Sequence, residues 1–109
     1  MKNNNAKNRE SFSNKMIDIL NYGAINLAMA IGYRNGLFDV MDTFDRPQTV
    51  DCIAEKAKLD ARYLREWLGV LVTGEIVELT RDKDGHNTYF LPKFCGDFLT
   101  KRSRSSNLG

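Results

Sequence analysis

From about Ser13 to Tyr33 the chain carries apolar residues at helical spacing, and the character of that spacing changes half-way. Met16, Ile19, Leu20 and Gly23 fall on one face of a helix, whereas the run that follows, AINLAMAI at 24–31, is apolar on every side except at Asn26. A helix that is apolar all round must be covered all round. One small domain covers a single stripe of it, so the rest should meet a second subunit or a second domain; a central core helix is the alternative. Gly23, Ala24, Ala28, Ala30 and Gly32 are small enough to admit a close helix partner. The candidate dimer interface is therefore Ala24, Ile25, Leu27, Ala28, Met29 and Ile31.

Gly36 should end this stretch in a left-handed cap. A short helix at 37–44 follows, with Leu37, Val40 and Met41 or Phe44 directed inward, and Asp45-Arg46-Pro47 makes a turn. Beyond it the pattern spells helix, turn, helix and hairpin. Thr49 is a fitting N-cap with Asp51 near the positive end of the helix dipole, and Val50, Ile53, Ala54 and Ala57 form one buried face. Asp60 caps the next helix, with Leu59 and Leu64 at the staple positions; its stripe is Leu64, Trp67, Leu68, Leu71 and Val72, and Gly74 closes it. The hairpin is expected from Ile76–Thr80 to Thr88–Leu91 around an Asp84-Gly85 turn. KFCGDFLTKR after Pro92 begins a further helix. The predicted fold class is mainly α with a small β-hairpin: a winged helix-turn-helix preceded by a long interface helix. Residues 1–12, polar and Asn-rich, read as a disordered tail. Residues 13–101 form the winged-helix dimerisation domain, and 102–109 are a linker cut short.

Charge changes the meaning of that motif. The net +2 comes from the ends: residues 1–15 carry a net +3 and residues 100–109 another +3, leaving 16–99 at −4. A winged helix that reads DNA carries the opposite pattern, a basic stripe on the folded face. The exposed side of the second motif helix offers Arg62, Arg65, Glu66, Gly69 and Thr73. Glu66 repels phosphate, and Gly69 leaves the middle without a reader. Arg81 and Lys83 on the wing are expected to be paired with Asp82 and Asp84. These four cations are the candidate nucleic-acid contacts, against a solvated charged face.

Self-sufficient catalytic chemistry is not expected. His86 is the single histidine and sits at the wing tip, so no histidine-based metal site can be built. None of the eight glycines falls into a phosphate-cradling G-x-G-x-x-G. Cys52 and Cys95 read as isolated reduced thiols. There is no secretory h-region and no apolar run of the roughly 18–20 residues that cross a bilayer. A cytoplasmic chain without a membrane partner is expected.

INLAMAIGYRNGLFDVMD at 25–42, PQTVDCIAEKAKLDARYLREWLGVLVTGEIVEL at 47–79 and YFLP at 89–92 resemble the N-terminal domain of class I S-adenosylmethionine-dependent small-molecule methyltransferases, in the branch that carries a winged helix before the catalytic domain. The resemblance covers roughly residues 16–101. It implies a non-catalytic dimerisation and substrate-lid domain whose long first helix builds a homodimer. It also implies that the cofactor domain would begin near Ser103, so no catalytic, cofactor-binding or metal residue is carried over. S-adenosylmethionine is expected only in a full-length relative. The expected partners are a second copy and a catalytic methyltransferase domain, not nucleic acid. Two other readings stay open: a stand-alone winged-helix transcription regulator using Arg62, Arg65 and the wing, and a protein-interaction module.

Overall fold

The computed structural model describes residues 2–100. The elements run α1 (Lys2–Arg34), α2 (Leu37–Asp42), α3 (Val50–Ala57), α4 (Ala61–Thr73), β1 (Glu78–Arg81), β2 (Asn87–Phe90) and α5 (Lys93–Leu99). This is the mainly α winged helix expected. The expected linker at 102–109 lies outside the described residues, as does residue 101.

The first difference from expectation is the start of α1. The polar segment read as a disordered tail belongs to a helix of 33 residues, about 50 Å long at 1.5 Å per residue. Polarity alone did not argue against helix here. Lys, Arg, Glu and Ala propagate an established helix at little cost, and the nucleus is supplied downstream.

Gly36, at φ 69°, turns the chain from α1 into α2 as a left-handed cap. In α2 the buried side chains are Leu37, Phe38 and Met41, while Val40 is not among them; Phe44, beyond the helix, is half-buried against the core. Phe38 is fully buried because it fits under Gly32 of α1: a Cβ at Gly32 would lie 2.5 Å from Trp67 Cζ2 and 2.7 Å from Phe38 Cε2. The Lys56 ammonium covers the ring of Phe44 from outside, 4.9 Å from its centre.

Both motif helices are capped as read. Thr49 Oγ1 accepts from the Cys52 amide, and Asp60 Oδ1 accepts from Arg62 and Tyr63. Leu59 stays partly exposed, so the Asp60 carboxylate rather than a hydrophobic staple fixes the entry of α4. Lys58 (φ 58°) and Glu75 (φ 60°) take the left-handed positions after α3 and α4. Gly74 has a negative φ; its small size matters because Ile25 lies 3.0 Å from where a Cβ would be.

The hairpin pairs Glu78 with Phe90 through Arg81 with Asn87. It starts two residues later than expected because Ile76 and Val77 are held by the Leu71 carbonyl at the end of α4. Gln48 bridges Tyr89 on the outer side of β2, tying the wing to the start of α3. Leu64, Trp67, Leu68 and Leu71 of α4 form the middle of the core, with Val50, Ile53 and Ala54 of α3 and Val77, Tyr89 and Leu91 of the hairpin around them. α5 is fastened to α2 by Lys93 Nζ, which donates to the Asp42 carbonyl at 2.6 Å, and by Gly96, where any Cβ would run into the Asp42 carboxylate.

Candidate functional site

α1 is covered on one face only. Trp67 Nε1 donates to the Ala28 carbonyl at 2.8 Å, Gly32 lies against the indole, and Ile25 lies on Gly74. Of the six residues expected at a dimer interface, Ala28 is therefore buried in the chain's own core, and Ile25, Met29 and Ile31 are half-buried by it. Ala24 and Leu27 face outward, Leu27 at 63% exposure. The helix is apolar all round because its own domain covers one side and leaves the other bare.

Most of the bare apolar surface lies further towards the N-terminus than the sequence suggested. Phe12, Ile17, Ile19, Leu20 and Tyr22 are each more than half exposed, and Met16 is 40% exposed. Ile17, Leu20, Ala24, Leu27 and Ile31 follow one another at alternating intervals of three and four, the spacing of a helix–helix seam. The C-terminal end of this seam opens into an apolar groove of about 240 Å³ between α1 and α4, walled by Tyr63, Val70 and the edge of Trp67, with Glu66 as its one charged lining residue. The signal for this seam was present in the sequence, but the continuous run at 24–31 masked its spacing.

The candidate nucleic-acid contacts Arg62, Arg65, Arg81 and Lys83 are all exposed, and none makes an ion pair among the described residues. The alternation of charge on the wing is thus not one of paired side chains. Asp82 Oδ1 accepts from the amides of Asp84 and His86, and its Oδ2 lies 3.6 Å from His86 Nδ1. The backbone bond from His86 leads in holding the Asp82 carboxyl below its usual pKa. The turn thereby brings Asp82, Asp84 and His86 together, their ligand-type atoms within 4.8 Å of one another. Glu66 and the open Gly69 occupy the face of α4 that would enter a groove. Cys52 and Cys95 are both free thiols, half-buried; burial and then the nearby Glu78 carboxylate push the Cys95 thiol up.

Residues 23–101 match the family model of the Rv2258c-like winged HTH domain. The chain belongs to that family. The matched segment takes in the covered half of α1, both motif helices, the wing and α5, so the Rv2258c-like domain is nearly the whole described fold. Among solved structures, human N-acetylserotonin methyltransferase in complex with SAM superposes with a TM-score of 0.70 at 17% sequence identity. That alignment covers 85% of this chain and 27% of the methyltransferase chain, so the chain spans about a quarter of the length of that structure. The match establishes a shared fold. A comparison with curated protein sequences finds no match. Among the described residues no helix is long and apolar enough to cross a membrane.

Proposed function

We propose that this Rv2258c-like domain is a non-catalytic, N-terminal dimerisation and substrate-lid module of an S-adenosylmethionine-dependent methyltransferase. The observation that carries the reading is the bare side of α1. Six large apolar side chains between Phe12 and Tyr22, with Leu27 beyond, are left in water by a domain whose core is otherwise complete. Covering a large apolar side chain is worth roughly 1.5–3 kcal/mol. A two-fold axis lets one such stripe cover another without a second protein. The fold shared with a methyltransferase supplies the context, and the catalytic domain is the second partner. The winged helix then acts as a scaffold that holds α1 through Trp67.

On this reading the chain alone neither binds S-adenosylmethionine nor transfers methyl groups, since its sequence offers no glycine loop for a nucleotide-like cofactor. Calorimetric titration with S-adenosylmethionine should give no saturable heat; stoichiometric binding at micromolar affinity would contradict the assignment. Light scattering on a sizing column should return twice the 12.4 kDa chain mass at tens of micromolar, and Leu20→Glu should return the monomer. A transcription regulator is the rival, supported by the exposed Arg62 and Arg65, which make no ion pair among the described residues. Titration with duplex DNA at two salt concentrations separates the two: specific binding lost in Arg62→Ala would favour the regulator.

A further inference from the structure

The apolar groove between α1 and α4 lacks an outer wall. Ala24, Leu27, Ala28 and Ile31 line it from α1, Tyr63 and Val70 line it from α4, and its volume is about 240 Å³. The seam that leads into it reads Ile17, Leu20, Ala24, Leu27, Ile31. The order of residue types is the same from either end, with Ala24 at the centre. Only one half of this seam is flanked. At 24–31 α4 stands beside it, whereas Ile17 and Leu20 are more than half exposed.

We propose that two copies pair through α1 in antiparallel order about a two-fold axis at Ala24, so that Ile17 and Leu20 of each copy close the groove of the other. The proposal rests on the dimer reading above and adds to it the orientation and the residues that fill the groove. A two-fold axis makes a patch meet itself, and a seam that reads the same in both directions meets itself level for level when one helix is reversed. Ile17 then stands opposite the partner's Ile31, and Leu20 beside the partner's Leu27. The two Ala24 side chains are small enough to let the backbones approach. The bare part of each helix falls on the flanked part of the other. Parallel order would set bare against bare, with neither groove receiving Ile17 or Leu20.

Charge separates the two orders as well. Residues 1–15 carry a net +3 and residues 16–99 a net −4. Parallel order runs the two basic segments alongside each other and brings the two acidic bodies to the same end. Antiparallel order sets the midpoints of the basic segments roughly 48 Å apart at 1.5 Å per residue. That is well beyond the screening length of about 8 Å, and each basic segment points towards the partner's acidic body. Glu66, the charged residue lining the groove, also gains a polar neighbour. Asn21 lies on the α4 side of α1, near Thr73 and Gly74. The two-fold axis keeps it on that side and brings it to the level of the partner's Leu27, where its amide can donate to the partner's Glu66.

The test is an isotope-filtered NOE measurement on the whole chain, made on an equal mixture of labelled and unlabelled protein. Contacts between copies are expected from the Leu20 methyls to the Leu27 methyls and from the Ile17 methyls to the Tyr63 ring. Asn21→Asp should weaken the dimer about threefold by setting a second carboxylate against Glu66, and adding Glu66→Gln should restore the affinity. Contacts of Ile17 with Ile17 and of Leu20 with Leu20, with Tyr63 silent, would overturn the antiparallel order and leave the dimer standing. A loss in Asn21→Asp that Glu66→Gln does not restore would place Asn21 away from the groove and overturn the arrangement. A chain that shows no contact between copies and scatters light as a monomer would overturn the dimer reading and this arrangement with it.

Discussion

The two halves of α1 belong to one continuous helix and obey opposite rules. From Ile25 to Gly32 it is fitted to its own domain: a carbonyl receives the Trp67 indole, a glycine makes room for two aromatic rings, and an isoleucine lies on Gly74. From Phe12 to Tyr22 it carries six large apolar side chains, yet no other part of the described chain covers them. The fitted half is the more apolar of the two, yet it is the other half whose large side chains are left bare; what differs is whether a partner surface exists within the same chain. Apolar content therefore marks a helix as needing cover, and only the fold tells where that cover comes from.

The largest expected effect is in the fitted half. Trp67→Ala removes the indole that contacts Gly32, stacks at a tilt on Phe38 with ring centres 5.3 Å apart, and bonds to Ala28. A loss of roughly 3–5 kcal/mol is expected, large enough to unfold a domain of this size. Chemical denaturation measures it, and a loss under about 1 kcal/mol would show that α1 is not anchored there. Ala28→Arg belongs to the same class, because Ala28 is a core residue, and it should unfold the domain instead of yielding a clean monomer.

Substitution in the bare half should leave the fold alone and change association. Leu20→Glu and Ile17→Glu each place a charge on the seam, and sedimentation should show a shift to monomer while the circular dichroism spectrum keeps its helical shape. Glu66→Ala, on α4, should leave the dimer intact. Loss of helix throughout the domain in Leu20→Glu would mean that the two halves are not separable.

Two glycines sharpen the contrast at smaller scale. Gly32→Ala forces a methyl group into the Trp67–Phe38 contact and should cost about 1–3 kcal/mol. Gly69→Ala, in open space on the outer face of α4, should instead stabilise by about 0.5–1 kcal/mol through helix propensity alone. Opposite signs in thermal unfolding would confirm which helix faces meet.

The smallest effect lies at the wing. The Asp82 carboxyl is held below its usual 3.8 chiefly by the His86 amide, so its stabilisation of the turn is complete above that value. It is lost as pH falls through the lowered folded-state pKa. Asp82→Asn should flatten the pH dependence of amide exchange in the turn below about pH 4 and leave it unchanged at neutral pH.

Much of this was readable from residue order. The caps at Thr49 and Asp60, the stripe from Leu64 to Leu71, and the Gly36 turn are local signals with local causes, and each stands where the pattern placed it. Phe38 was missed because its burial depends on Gly32, a non-local fit that periodicity does not encode. The start of α1 was missed because a polar sequence says little about whether a helix already formed will propagate. The interface residues were drawn from the most apolar run. Part of that run is consumed by Trp67, a contact across 39 residues of sequence.

The claim that the bare half of α1 is covered by a second copy is tested most directly by amide hydrogen exchange along α1 at several protein concentrations. Exchange at 25–32 should be slow and independent of concentration, since its protection is intramolecular. Exchange at 12–22 should slow as concentration rises, and the dependence should vanish in Leu20→Glu. Rapid exchange at 12–22 at every concentration, with the chain remaining a monomer at tens of micromolar, would contradict it.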